Sequence, residues 1–253
     1  MRWNVLLIIP SVALLAGYRV RCLRKQNVPT PKALGLSIDG SAAAETAVGV
    51  LICVVAMGAV FLVEWAAGLI SILGVGPPGV LARDLITVVG VPFIEEFVNR
   101  CAVLGALLLI VRRAWVAVLI SAVVFGVMHA GNDHASILSV FHTIIAGLVY
   151  GIPFAATERI WLPMGLHMGW NYAQGRIFGF AVSGGGPLAG FSFIQQHDNG
   201  PALLTGGAYG PEGGVIGLLG QFAALALVVG WLSWQRRRSK RAEAHTEEAR
   251  DFP

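Results

Sequence analysis

The sequence predicts an all-α polytopic membrane protein of about seven transmembrane helices, and three observations carry that prediction. Its 253 residues are 56% hydrophobic and only 13% charged, where a soluble domain carries about 25% charged residues. The mean hydropathy of +0.71 agrees. Seven apolar stretches are each long enough to cross about 30 Å of hydrocarbon as a helix. Finally, the Lys and Arg residues gather in short clusters beside those stretches. This is a topology signal and not a nucleic-acid footprint, despite the net charge of +4.

Taken in order, the first stretch, 3–18, precedes Arg19, Arg21, Arg24 and Lys25 and reads as a retained anchor, not a cleaved signal peptide. A polar inner loop, 26–44, comes next. The remaining stretches lie near 45–70, 83–111, 114–131, 136–157, 160–181 and 213–234. Residues 182–212, rich in Gly and Pro, form the longest outer loop, and 239–253 alternate in charge as a solvated or disordered tail. The organisation expected is an anchor and loop over 1–44, a helical domain over 45–235 and a charged tail over 236–253. With the N-terminus outside, 14 of the 18 Lys and Arg residues fall on the inner side, Arg2, Arg83 and Arg176 stay outside, and Arg100 is intramembrane. The tail is then cytoplasmic.

Some motifs fail in context. "GVGPPG" (Gly74 to Gly79) fits GxGxxG but joins two membrane helices without the strand a dinucleotide fingerprint needs. Cys22, Cys53 and Cys101 lack CxxC spacing, so neither a disulfide nor a zinc framework is indicated. No HExxH, GxSG or GxGD segment is present, which removes three common intramembrane protease chemistries.

Ionisable groups inside apolar helices are costly and are functional candidates by default. The third stretch contains "VPFIEEFVNR", in which Glu96 and Arg100 are i,i+4 neighbours able to pair. Glu95 points about 100° away and is free to face a cavity. The fourth stretch ends "FGVMHA", with Phe125 and His129 on one face, and the sixth carries "HMGWN", with His167 and Asn171 one turn apart. One carboxylate, two imidazoles and an amide can activate a water, the glutamate taking its proton and a His or Asn stabilising an oxyanion. The same Glu95, His129 and His167 can hold Zn²⁺ with a position left for water. Spacing alone does not separate the metal from the metal-free chemistry, nor either from a buried charge cluster that fixes packing. Asp133 and His134, in "HAGNDHAS", read as a solvated loop pair. By helix rise, Glu95 lies about 25 Å from its basic inner flank but His167 only about 12 Å from Arg159. The sixth helix is therefore expected to begin deeper, around Pro163, or residues 155–162 to dip into the bilayer.

"EEFVNR", "FGVMH" and "HMGWN" resemble, in order and helix interval, the EExxxR, FxxxH and HxxxN motifs of the CAAX-protease and bacteriocin-processing (Abi) family of intramembrane proteases. The likeness covers roughly residues 80–235, and "LLTGGAYGPEGG" in the outer loop is similar to a segment of many bacterial members. Beside Arg100, Asn99 and Cys101 stand where members often carry an aromatic residue and a glycine. The resemblance implies a catalytic cavity inside the helix bundle. It gives Glu95 the role of base, places His129, His167 and Asn171 at the water or metal site, and makes Glu96 and Arg100 supports, with Phe125 beside them. It also implies a hydrophobic or membrane-tethered peptide substrate and a multi-pass place in a bacterial plasma membrane, with Zn²⁺ or no metal. A non-catalytic scaffold of the same fold is the alternative. A proton-coupled transporter is a poorer one, since no inverted repeat is visible.

Overall fold

The computed structural model describes residues 5–83, 85–185 and 191–250. Arg2 and the start of the first expected stretch lie outside the described residues. Seven helical elements build the bundle. They are α1 Val5–Arg24, α2 Ala42–Ala66, α3 Leu85–Glu96, α4 Ala114–Met128, α5 Ile137–Thr157, α6 Trp161–Tyr172 and α7 Val215–Arg250. Four segments, Ala42–Ala66, Ala114–Gly131, Ile137–Thr157 and Val215–Glu243, are long and apolar enough to cross a membrane. The other three expected spans are helical but do not meet that measure. Two of them, α3 and α6, are continued by π-helical turns. After Glu96 the hydrogen-bond ladder loosens over Phe97–Leu104 before an α-helical Gly105–Ile110, and after Tyr172 it loosens over Ala173–Ile177.

Glycines set the closest helix approaches. A Cβ on Gly49 of α2 would come within 2.7 Å of the Leu162 carbonyl, and one on Gly169 of α6 within 2.6 Å of the Val50 Cα. On the other side, Gly147 of α5 rests against Ala122 of α4. Small residues let membrane helices meet backbone to backbone, where dispersion replaces the absent hydrophobic drive. Around these crossings lie two buried apolar clusters. One joins Met57, Phe61, Phe125, Tyr150, Leu166 and Trp170, and the other Leu104, Val118, Phe154, Ile160 and Met164.

Two expectations change. First, the fold is mostly but not wholly helical. Ile70–Val75 (β1) pairs antiparallel with Ile194–Asp198 (β2), matching Ile70 to Asp198 and Val75 to Ile194. The apolar run of the second stretch therefore ends as helix at Ala66 and turns into a strand. The 182–212 loop supplies its partner, although 186–190 lie outside the described residues. Second, the charged tail continues α7 to Arg250. Its Ala, Arg, Lys and Glu residues are strong helix formers extending an existing helix, so no new nucleus is required.

The α5–α6 turn is short, and the sixth helix does not wait until Pro163 to begin. Glu158 takes a left-handed φ of 54°, and α6 starts at once, at Trp161. The 26–44 loop caps this turn. Ile160 N–H donates to the Gly35 carbonyl at 3.0 Å, Trp161 Nε1 to the Ser37 carbonyl at 2.7 Å, and Arg19 reaches both Glu158 and the Ala33 carbonyl. Ile160 is wholly buried. The turn is therefore tied to the 26–44 loop on one side while Ala156 and Glu158 stay exposed, and residues 155–157 remain helix.

Candidate active site

The site begins from a buried ion pair. Glu96 and Arg100 have no exposed side-chain surface, and Arg100 Nε donates to Glu96 Oε2 at 2.9 Å. Arg100 also donates through Nη1 to Ser121 Oγ of α4 at 3.2 Å, and Ser121 donates to the Asn99 carbonyl. The guanidinium lies 5.1 Å from the centre of the Phe125 ring. Such engagement is what allows a charge pair to stay out of water. The other oxygen of Glu96 accepts from Nδ1 of His167 at 3.0 Å, so the pair also orients a ring on α6. Tyr150 stacks on that ring, 4.9 Å between centroids and 14° from parallel.

His129 is fixed differently. It stands where α4 tightens into a 3₁₀ turn, and its backbone N–H turns to Gly126 and not Phe125. The Phe125 carbonyl accepts instead from His129 Nδ1 at 2.8 Å. The Phe125 ring packs against both imidazoles, 4.6 Å from His129 and edge-on to His167 at 5.9 Å. A carbonyl and a carboxylate only accept, so each Nδ1 carries hydrogen, and a ring in its neutral form then offers its Nε2 lone pair.

Both Nε2 atoms face Glu95. Its Oε2 lies 3.6 Å from His129 Nε2 and 3.8 Å from His167 Nε2, and its side chain is 18% exposed. Asn99, one turn on, donates to the Glu95 carbonyl at 2.9 Å, so the unusual residue before Arg100 braces this turn. Asn171 makes no hydrogen bond to this cluster. It lines a cavity of about 200 Å³ with Val91 and Pro92, one turn before Glu95, and with Val182 and Gly185 of the 182–212 loop. Glu95, Glu96, Arg100, Phe125, His129 and His167 therefore converge, and Asn171 lines a cavity that also touches the turn before Glu95.

The donor set is one that zinc favours, but the spacing is wider than a closed shell. Ligands at 2.0–2.1 Å on a tetrahedral ion stand about 3.3 Å apart. Among the described residues, no three His, Cys, Asp or Glu side chains are gathered closely enough to hold a metal as they stand.

Residues 77–173 match the type II CAAX prenyl endopeptidase Rce1-like family. That segment runs from just before α3 to just past α6, and so contains Glu95, Glu96, Arg100, His129, His167 and Asn171. Together with the apolar helices, the match marks a membrane protein similar to CAAX proteases. Comparison with curated proteins and with solved structures finds no match.

Three residues on or near this cluster escaped sequence reading. Ser121 could have been found, because Ser121, Phe125 and His129 form one i,i+4,i+8 stripe. Tyr150, in an apolar helix, gives no such sign. Glu212 lies in the "GPEGG" part of the 182–212 loop and beyond. It accepts from both the backbone N–H and the hydroxyl of Ser183, at 2.6 and 2.8 Å. Asn132 donates to the Ser183 carbonyl at 3.1 Å, so this clasp is tied to the turn that begins at His129.

Proposed function

We propose that the protein is an intramembrane endopeptidase hydrolysing peptide bonds of membrane-associated or hydrophobic peptides, with Glu95 as general base. The observation that carries this reading is the meeting of Glu95 with Nε2 of His129 and of His167, at spacings that one water bridges. A water there donates toward an imidazole lone pair and toward the carboxylate. As its oxygen attacks the scissile carbonyl carbon, Glu95 takes its proton, and the same carboxyl then protonates the leaving amine. Asn171, with its amide N–H₂, donates to the developing oxyanion once a substrate fills the cavity beside it. Glu96, itself held by Arg100, fixes His167, and Phe125 packs against both rings. Zn²⁺ on Glu95, His129 and His167 is the competing reading of the same donors and needs the carboxylate to draw closer to each imidazole by a few tenths of an ångström.

The setting of this reading is a bacterial plasma membrane crossed by all seven helices, with the N-terminus outside and the charged tail in the cytoplasm. The test is cleavage of a hydrophobic peptide library by the purified protein. Glu95→Gln is expected to lose about 10²-fold or more of the rate. Cleavage at the wild-type rate by Glu95→Gln would end the assignment. In the same assay, activity that survives exhaustive chelation supports the metal-free route, and loss restored by added Zn²⁺ supports the metal.

A further inference from the structure

Away from this site, Arg236, Arg237, Arg238, Lys240 and Arg241 succeed the apolar part of α7 within six positions. They border a built recess and not a flat surface. A cavity of about 680 Å³ lies between the end of α5 and this stretch, lined by Thr157, Trp231, Gln235, Arg236, Arg237 and Lys240 among others. Its charged lining comprises Arg236, Arg237, Arg238 and Lys240 against the single acid Glu243. Trp231 and Trp234 stack at 5.0 Å, and the Arg238 guanidinium lies 5.5 Å over the Trp234 ring. Nε1 of Trp231 is buried and finds no acceptor among the described residues.

A second cavity, of about 410 Å³, adjoins the first, sharing Ala156, Leu232 and Arg236 with it. Its walls are apolar, with Trp115 and Val118 from α4, Leu148 and Ile152 from α5, and Val229 from α7. An open cationic recess therefore adjoins an apolar groove, at the end of a helix long and apolar enough to cross a membrane. A soluble anion matches only the recess and a neutral chain only the groove. One molecule with an anionic head and a hydrocarbon chain matches both.

We infer that these joined cavities bind an anionic phospholipid. Its phosphate lies among Arg236, Arg237 and Lys240, and an acyl chain lies in the groove between α4, α5 and α7. Basic residues beside a membrane surface attract anionic headgroups, and tryptophans favour the headgroup level. Trp231 Nε1 supplies a donor at that level for a headgroup or ester oxygen. The site is independent of the hydrolytic reading, because none of its residues belongs to the Glu95 cluster.

The test uses the full chain in phosphatidylcholine nanodiscs containing a minor share of phosphatidylglycerol. After transfer to mild detergent, native mass spectrometry counts the lipids retained. Wild type is expected to keep phosphatidylglycerol preferentially. Arg236→Gln/Arg237→Gln/Lys240→Gln should lower that retention about tenfold or more, and Val229→Trp, which fills the groove and keeps the charges, should lower it as well. Arg24→Gln/Lys25→Gln/Lys32→Gln, which removes three basic residues elsewhere, should leave it unchanged. Unaltered retention in the first triple variant overturns the site. So does equal loss in the second triple variant, which would mean diffuse charge attraction. So does an unaffected Val229→Trp, which would leave the groove without a role.

Discussion

Glu96 sends its two oxygens to different helices, Oε2 to Arg100 on its own helix and Oε1 to His167 on α6. The second of these bonds joins positions 71 residues apart and left no mark in the sequence, whereas the first was legible as an i,i+4 pair. The convergence of Glu95 with the two histidines was legible for a related reason: charged and imidazole groups in apolar helices have few places to go except toward one another. Tyr150 was not, because an aromatic side chain in a buried helix serves packing and ring orientation alike until its neighbour is known. At this scale Glu96→Gln has a two-part outcome. Leaving Arg100 buried beside a neutral amide should lower stability by about 3–5 kcal/mol. Loosening His167 should lower kcat by about 10–100-fold with little change in KM, the range typical of removing a group that orients a site histidine. The double variant Glu96→Gln/Arg100→Gln should regain much of the stability but not the rate. Thermal unfolding and steady-state kinetics on the same preparations check both parts, and a double variant that recovers its rate would show that Glu96 only balances charge.

Helix α6 can place His167 against α3 because it lies close to α2. Gly165 and Gly169 flank His167 two residues on either side, in a small-xxx-small pattern that hydropathy registers only as an interruption of an apolar stretch. A Cβ on Gly165 would come within 2.8 Å of Thr46 Cα, and one on Gly169 within 2.6 Å of Val50 Cα, both backbone atoms with no rotamer to yield. Gly169→Ala should therefore push α6 away from α2, costing about 1–3 kcal/mol as overpacking does and lowering kcat through His167. Gly58 faces only the Phe178 ring at an ordinary 3.6 Å, so Gly58→Ala is the control and should alter neither. Equal behaviour of the two variants in thermal unfolding and turnover would mean that the crossing is not tightly held. Helix existence was readable here from hydropathy. Helix ends were less so, because the α5–α6 turn is shaped by the 26–44 loop, which lies far away in sequence.

Across the whole molecule, that loop joins the N-terminal segment to the bundle. Arg159 is gripped by Asp39 at 2.7 and 2.8 Å and by Glu45 at 2.9 and 3.0 Å, with Ser41 bonded to both acids. Arg159, with the Ser41 hydroxyl and N–H, holds the Asp39 carboxyl well below the usual carboxylate range. A depressed folded-state value stabilises the clasp above the unfolded value, about 4, and the contribution fades as pH falls below that toward the depressed value. The detergent-solubilised wild type should accordingly lose more thermal stability between pH 6 and pH 3 than Asp39→Asn does. Parallel losses in the two proteins would remove Asp39 from the account. The side that carries the strands was the least legible part of the chain, because β1 and β2 are short, lack clear alternation and join segments more than a hundred residues apart. The π-helical turns after Glu96 and after Tyr172 bear on how this chain is laid against any other. A π turn holds about one residue more than an α turn, so each such slip rotates the remainder of the helix by about 100° relative to an unbroken α ladder. Two chains that agree in every motif but differ by one residue within 97–104 or 173–177 would turn different faces inward beyond that point, and a single-position gap there, not a substitution, is what brings their cores back into phase.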